Sequence, residues 1–223
     1  RLPLKDAGEM LITASIAEFT RAWWDAKGYT PDGIISSEDT WDILMEDINV
    51  ESIPYPWSGL NDLTYGFRQG ELVTITSGSG MGKSQMTREL EHYLLRTTKD
   101  NIGILALEET IKNTTLGIMS IEANLPLHLK KEETDEVELR SYWDKTLGTG
   151  RIKLFDHFGS TSEDNLLSKV RYLAKGLDCK WIILDHLSIV VSDQEGYLDE
   201  RKQIDSVMTK LRQLVAETGI GMF

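Results

Sequence analysis

A chain of 223 residues with 40% hydrophobic content can bury a full core, and 27% charged residues with no long biased tract argue against a disordered protein. The formal net charge of −12 excludes a domain that grips nucleic acid over its whole surface, so any such contact belongs to a few local loops. No apolar run approaches the roughly 18 residues of a membrane span, the stretch Arg1-Leu2-Pro3-Leu4-Lys5 lacks a signal-peptide core, and the single cysteine, Cys179, fits a reducing compartment; the expectation is a cytoplasmic protein with no membrane partner.

Residues 1–50 differ in character from the rest, with Trp23, Trp24 and Trp41 in two short helical patterns. Ile16, Phe19 and Trp23 share one helix stripe, and Tyr29-Thr30-Pro31-Asp32-Gly33 breaks it. A second helix is predicted from Ser36 or Ser37 through Ile48. Glu51 to Trp57, with Pro54 and Pro56, reads as an extended linker. Two small helices on such a linker predict an arm that packs on a neighbouring molecule.

From Gly70 onward, strand and helix patterns alternate. Strands are predicted at Leu72–Thr76, Ile102–Leu107, Ile152–Asp156 and Trp181–Asp185, with helices over about 83–98, 110–123, 135–147, 162–175 and 199–217. Continuous apolar strands separated by helices predict an α/β fold whose parallel sheet is covered on both faces. In the last helix Ile204, Val207, Met208, Leu211, Leu214 and Val215 form an apolar stripe. The acidic run 132–136 reads as a solvated helix start. At Gly219–Phe223 a turn launches an apolar strand that is not completed, so the chain reads as a C-terminally truncated fragment.

The stretch VTITSGSGMGKSQ, Val73 to Gln85, runs from an apolar strand into a glycine-rich loop. The signature G-x-x-x-x-G-K-[ST] would begin with glycine where Ser77 stands. A phosphate cradle needs successive backbone N–H groups and a helix N-terminus behind them. The loop Ser77, Gly78, Ser79, Gly80, Met81, Gly82 supplies these, its three glycines giving the backbone its freedom. Lys83 is predicted to charge-pair with the β and γ phosphates and the Ser84 hydroxyl to ligate magnesium. Glu108, at the end of a strand, is predicted to orient and deprotonate an attacking water; alternatively Glu108 and Glu109 are an acidic pair at a helix start. Asp185, closing an apolar strand, is the predicted magnesium-holding acid. His186 stands where it would bond near the metal or γ-phosphate, or serve as the structural partner of a neighbouring loop.

The motifs TSGSGMGKS, LEE with its first glutamate 25 positions after Lys83, WIILDHLSIVVS and DERKQIDSVMTKLRQL, in this order, resemble the helicase half of bifunctional primase-helicases from T-odd short-tailed phages, over about residues 57–223. The resemblance implies a RecA-like P-loop NTPase core in a replicative DNA helicase, a hexameric homo-oligomeric ring that moves on single-stranded DNA. It also implies fuel in the form of an NTP or dNTP (ATP or dTTP) with Mg2+, and work beside other replisome proteins in the host cytoplasm. Ser77 is then tolerated, Lys83 and Ser84 bind phosphate and magnesium, Glu108 is the hydrolytic base and Asp185 the magnesium-associated acid.

The same likeness divides the chain. Residues 1–15 would be the remnant of a TOPRIM-like primase domain, with Gly8 where the family usually carries asparagine, and 16–56 a helical linker and oligomerisation arm. Residues 57–223 would be an incomplete helicase core. Ser188–Arg201 resembles the first loop of a DNA channel, which makes Arg201 and Lys202 candidates to face DNA beside the carboxylates of Asp193, Glu195, Asp199 and Glu200. The family's polar sensor, further channel loops and arginine finger would lie beyond Phe223, so this fragment is expected to bind nucleotide weakly and hydrolyse it poorly. Other readings are a different RecA-like ATPase, such as a recombinase or ring ATPase, and a non-hydrolysing nucleotide-binding assembly subunit.

Overall fold

The computed structural model describes residues 8, 9, 12, 16–24, 34–38, 40–45, 51–156, 162–187 and 200–223. The chain divides into two units, Arg1–Asn49 and Val50–Phe223. Most of the expected primase remnant and all of the expected channel loop before Glu200 fall outside the described residues.

In the first unit, α1 (Ile16–Trp24) follows the predicted stripe, with the Phe19 and Trp23 rings 6.3 Å apart. Helix α2 (Thr40–Met45) starts later than the serines suggested. Thr40 Oγ1 donates to the Ser37 carbonyl at 2.6 Å, so the chain turns before it winds. Trp23, Trp24, Trp41 and Leu44 are 64–79% exposed.

The second unit carries α3 (Ser58–Thr64), α4 (Lys83–Thr97), β1 (Asn101–Ala106), α5 (Ile111–Ala123), α6 (Leu127–Lys130), α7 (Glu136–Lys145), β2 (Ile152–Leu154), α8 (Glu163–Gly176), β3 (Cys179–Asp185), α9 (Glu200–Thr218) and β4 (Gly221–Met222). The strands stand in the order β2-β1-β3-β4, all parallel. Side chains alternate across a strand, so Ile102, Ile104, Trp181 and Ile183 bury against Leu90, Leu94 and Leu95 of α4. Leu105 and Ile182 meet the opposite layer, Leu166, Val170 and Leu173 of α8 with Val207, Leu211, Leu214 and Val215 of α9. The apolar stripe predicted for the last helix is the one that faces the sheet. Both faces are therefore covered, which explains why these strands are continuously apolar.

The predicted strand Leu72–Thr76 is reduced to one parallel bridge, Leu72 with Met222. Val73 N–H donates to Met222 O at 2.8 Å and Met222 N–H to Glu71 O at 2.9 Å. Beyond that pair β4 supplies no ladder partner for residues 74–76 among the described residues. The segment Glu51–Trp57 is extended as predicted, but it is woven into the core. Ile53 and Phe67 exchange two 2.9 Å backbone hydrogen bonds, and Asn61 receives Tyr55 N–H at 2.6 Å and donates to Tyr55 O at 2.8 Å. The Phe67 ring sits 4.7 Å from Tyr55, 5.2 Å from Trp181 and 5.1 Å from Phe223, an aromatic cluster whose tilted and edge-to-face contacts add to burial.

Two positions in this core generate tests. Gly221 lies opposite Trp181 in the β3–β4 pairing, and a Cβ there would overlap Cε3 and Cζ3 of the buried indole. Gly221→Ala is expected to lower unfolding free energy by about 1–3 kcal/mol, read from urea denaturation. Glu91, on α4, is only 3% exposed and its Oε2 has no hydrogen-bond partner among the described residues. Burial raises its carboxyl from the ordinary 4.5 to about 8; Arg88 pulls it down, while Asp185 and Glu109 push it up. A carboxyl raised by folding stabilises fully below its unfolded value and loses that contribution as pH climbs toward 8. Glu91→Gln should therefore match the parent's unfolding free energy near pH 4.5 and exceed it increasingly up to pH 8, by at most about 1.4 kcal/mol per pH unit, read from urea denaturation at each pH.

Candidate nucleotide site

The loop before α4 turns by means of two glycines in the left-handed region, Gly80 at φ 72° and Gly82 at φ 90°. Any side chain there would be strained. Gly78 does not share that conformation, and a Cβ on it would make an ordinary 3.6 Å contact with Met81 Cγ. Gly82 is the residue that opens α4, with no side-chain cap and no acidic residue in the first turn. The first amides of a 15-residue helix thus face the loop without a carboxylate from the helix's own first turn. Lys83 Nζ reaches back across this loop and donates to the carbonyls of Ser77 and Gly78, each at 3.1 Å. Ser77 Oγ donates to Gly78 O at 3.2 Å, so the serine at the first signature position closes on the loop itself.

Two strand ends deliver the carboxylates. Ala106 is the register partner of Asp185, and immediately beyond it Leu107 N–H donates to Asp185 O at 2.6 Å. Glu108 follows on a short turn before Thr110, whose hydroxyl accepts from Asn113 N–H and caps α5. Glu108 Oε1 lies 3.0 Å from His186 Nδ1, with the side chains 52% and 33% exposed respectively. The peptide bond between Asp185 and His186 is cis.

Glu109 behaves differently from its neighbour. Its Oε1 pairs with the Arg88 guanidinium of α4, and Thr114 Oγ1 approaches its Oε2 at 3.5 Å. Both of its oxygens are engaged, which leaves Glu108 as the member of the pair that faces histidine. Sequence reasoning missed both contacts. The strand spacing held the signal for Glu108 with His186, since neighbouring parallel strands end at the same edge; nothing in the sequence marked Arg88.

Ser77, Lys83, Asp185 and His186 line one cavity of about 290 Å3, whose far wall is Ile204, Met208 and Leu211 of α9. Glu108 joins this group through His186. Ser84 follows Lys83 in the first turn of α4 and is half-buried. Among the described residues no group of three or more His, Cys, Asp or Glu forms a ready metal cage. One hydroxyl and one carboxylate are instead the donor set of a hard cation that takes its remaining oxygens from water and phosphate, so the residues present fit Mg2+. Arg201 and Lys202 are exposed on the first turn of α9.

Comparison with known proteins agrees with this geometry. The family described as DnaB-like helicase C terminal domain matches residues 53–223. The DNA helicase/primase of Enterobacteria phage T3 is 35% identical over 98% of this chain and 40% of its own length. The replicative DNA helicase DnaB of Geobacillus stearothermophilus is 18% identical over 96% of this chain and 47% of its own length. The chain thus spans less than half the length of these relatives. A KaiC-like protein from the hyperthermophilic archaeon Pyrococcus horikoshii superposes with a TM-score of 0.53 at 20% identity, covering 78% of this chain and 68% of the other, a likeness of fold. With the parallel sheet it bears out the expected RecA-like α/β architecture. The family match begins at Ile53, where the chain first pairs with Phe67, and continues through the phosphate loop, both carboxylate turns and α9; the chain accordingly belongs to the DnaB-like helicases, of which it carries the C-terminal helicase domain.

Proposed function

We propose that this chain is the motor of a replicative DNA helicase of the phage primase-helicase type, a hexameric ring that couples NTP hydrolysis to movement along single-stranded DNA and to duplex unwinding. The observation that carries the reading is the common edge of the sheet. There Lys83, Asp185 and His186 line one cavity and Glu108 meets His186 at 3.0 Å.

In this reading the amides of residues 77–82 hold the β and γ phosphates, and Lys83 Nζ exchanges the Ser77 and Gly78 carbonyls for phosphate oxygens. Ser84 and Asp185 hold Mg2+, which when bound neutralises charge building on the phosphates. Glu108 accepts the proton of the attacking water, and His186 Nδ1–H donates to Glu108 Oε1, which fixes the direction of the carboxylate. The fuel is ATP or a deoxynucleotide such as dTTP. The exposed apolar side chains of α1 and α2 suit an arm that docks on the next copy of the ring. Arg201 and Lys202 are the cations assigned to the DNA-facing side, which leaves the acidic remainder of the surface turned away from the strand. The site of action is the host cytoplasm, beside other replisome proteins. No described helix is long and apolar enough to cross a membrane.

Single-turnover and steady-state NTP hydrolysis by the natural full-length protein, with single-stranded DNA and with a forked duplex, tests this reading. Lys83→Ala is expected to abolish nucleotide retention and unwinding together. Glu108→Gln is expected to keep nucleotide binding while turnover falls about 10²- to 10⁴-fold. Parental turnover and unwinding in Glu108→Gln would overturn the reading in favour of a subunit that binds nucleotide without hydrolysing it.

A further inference from the structure

We propose that Arg88 is a positioning residue for the Glu108 carboxylate: its ion pair with Glu109 straps the phosphate-binding helix to the turn that carries the base. The inference rests on the reading of Glu108 as the hydrolytic base.

Arg88 sits one turn after Ser84 on α4, so the same rigid helix that begins with Lys83 and Ser84 ends this strap. Its guanidinium pairs with Glu109 Oε1, and the two side chains are only 21% and 24% exposed. A charge-assisted hydrogen bond so far withdrawn from water fixes geometry more firmly than an exposed surface pair. The turn is held at its other end by Leu107, buried and bonded through its N–H to Asp185 O. Glu108 therefore projects from a turn pinned on both sides, one pin to β3 and one to α4. Each pin leads to an element assigned to phosphate or metal.

The path of Arg88 is prepared by α5. At Gly117 an added Cβ would lie 2.8 Å from Arg88 Cδ, 2.9 Å from Cζ and closer still to Nε. A larger residue there would push the guanidinium aside, so the glycine is what lets the strap pass between α4 and α5. Glu91, one turn further along α4, is the nearby competitor for the same cation. Burial raises its carboxyl to about 8, which favours the neutral form and weakens its competition with Glu109 for the Arg88 charge. A plain staple between helix and turn would contribute to stability alone. A positioning strap also changes the chemical step without changing nucleotide affinity.

The test uses the full-length protein with single-stranded DNA, reading kcat and KM for NTP, together with amide hydrogen exchange. Arg88→Ala and Glu109→Gln are each expected to lower kcat about tenfold or more with KM within about threefold. The double variant should fall no further than the worse single one, as for two ends of one interaction. Arg88→Lys should recover part of the rate. Gly117→Ala, which leaves both charges in place and yields only against a flexible side chain, should reproduce the loss. In Arg88→Ala the amides of residues 107–111 should exchange faster while those of β1 do not. Parental kcat in Arg88→Ala, losses that multiply in the double variant, or unaltered exchange at the turn would each overturn the proposal. Absence of NTP turnover in the parent would sink the functional reading instead, and the exchange comparison would still decide whether Arg88 holds the turn.

Discussion

Parallel strands deliver their carboxyl ends to the same edge of a sheet, and here β1 and β3 run side by side from Ile102 opposite Trp181 to Ala106 opposite Asp185. That pairing depends on an interior that is apolar on both faces, with α4 on one side and α8 and α9 on the other. Everything chemical about the molecule follows from where the apolar run stops. Beyond Ala106 come Leu107 and Glu108, beyond Leu184 come Asp185 and His186, and the two ends touch through one backbone hydrogen bond and one carboxylate–imidazole contact. The phosphate loop reaches the same edge by running beside β4.

The site is rich in negative charge for one that is to hold a polyphosphate. Glu108 and Asp185 stand at the edge, Glu109 behind them and Glu91 beneath, against the cations Lys83 and Arg88. Three devices reduce the repulsion within the fold. Glu109 is matched by Arg88, Glu91 keeps its proton through burial, and the start of α4 carries no acidic residue. What remains, Glu108 and Asp185, is the pair to which proton transfer and cation binding are assigned.

Much of this was legible in the sequence because it rests on long, strongly patterned segments. Strands β1 and β3, helices α4, α5, α8 and α9, and the loop between Ser77 and Gly82 all follow from apolar runs, helical stripes and glycine spacing. The failures share a physical cause: they depend on partners distant in the chain. Residues 72–76 have strand composition, yet a strand exists only where a neighbour supplies hydrogen bonds, and that neighbour is residue 222. Glu51–Trp57 looks like a linker because its prolines favour extended backbone, whereas its contact with Phe67 and the aromatic cluster cannot be seen locally. Arg88 is one of many helical arginines until Gly117 and Glu109 are brought beside it. Even the loop glycines divide differently in three dimensions, since positive φ is required at Gly80 and Gly82 and not at Gly78.

The bridge between Leu72 and Met222 also bears on how the protein is made. The entry to the phosphate loop is synthesised about 150 residues before the strand that anchors it, a delay of roughly 7 to 30 s at ordinary rates of elongation. During that interval Leu72 lacks the strand residue that it pairs with in the fold. The backbone anchor at the entry to the loop, Gly70 to Ile220 and Val73 to Met222, can form only once residues 220–222 have been made.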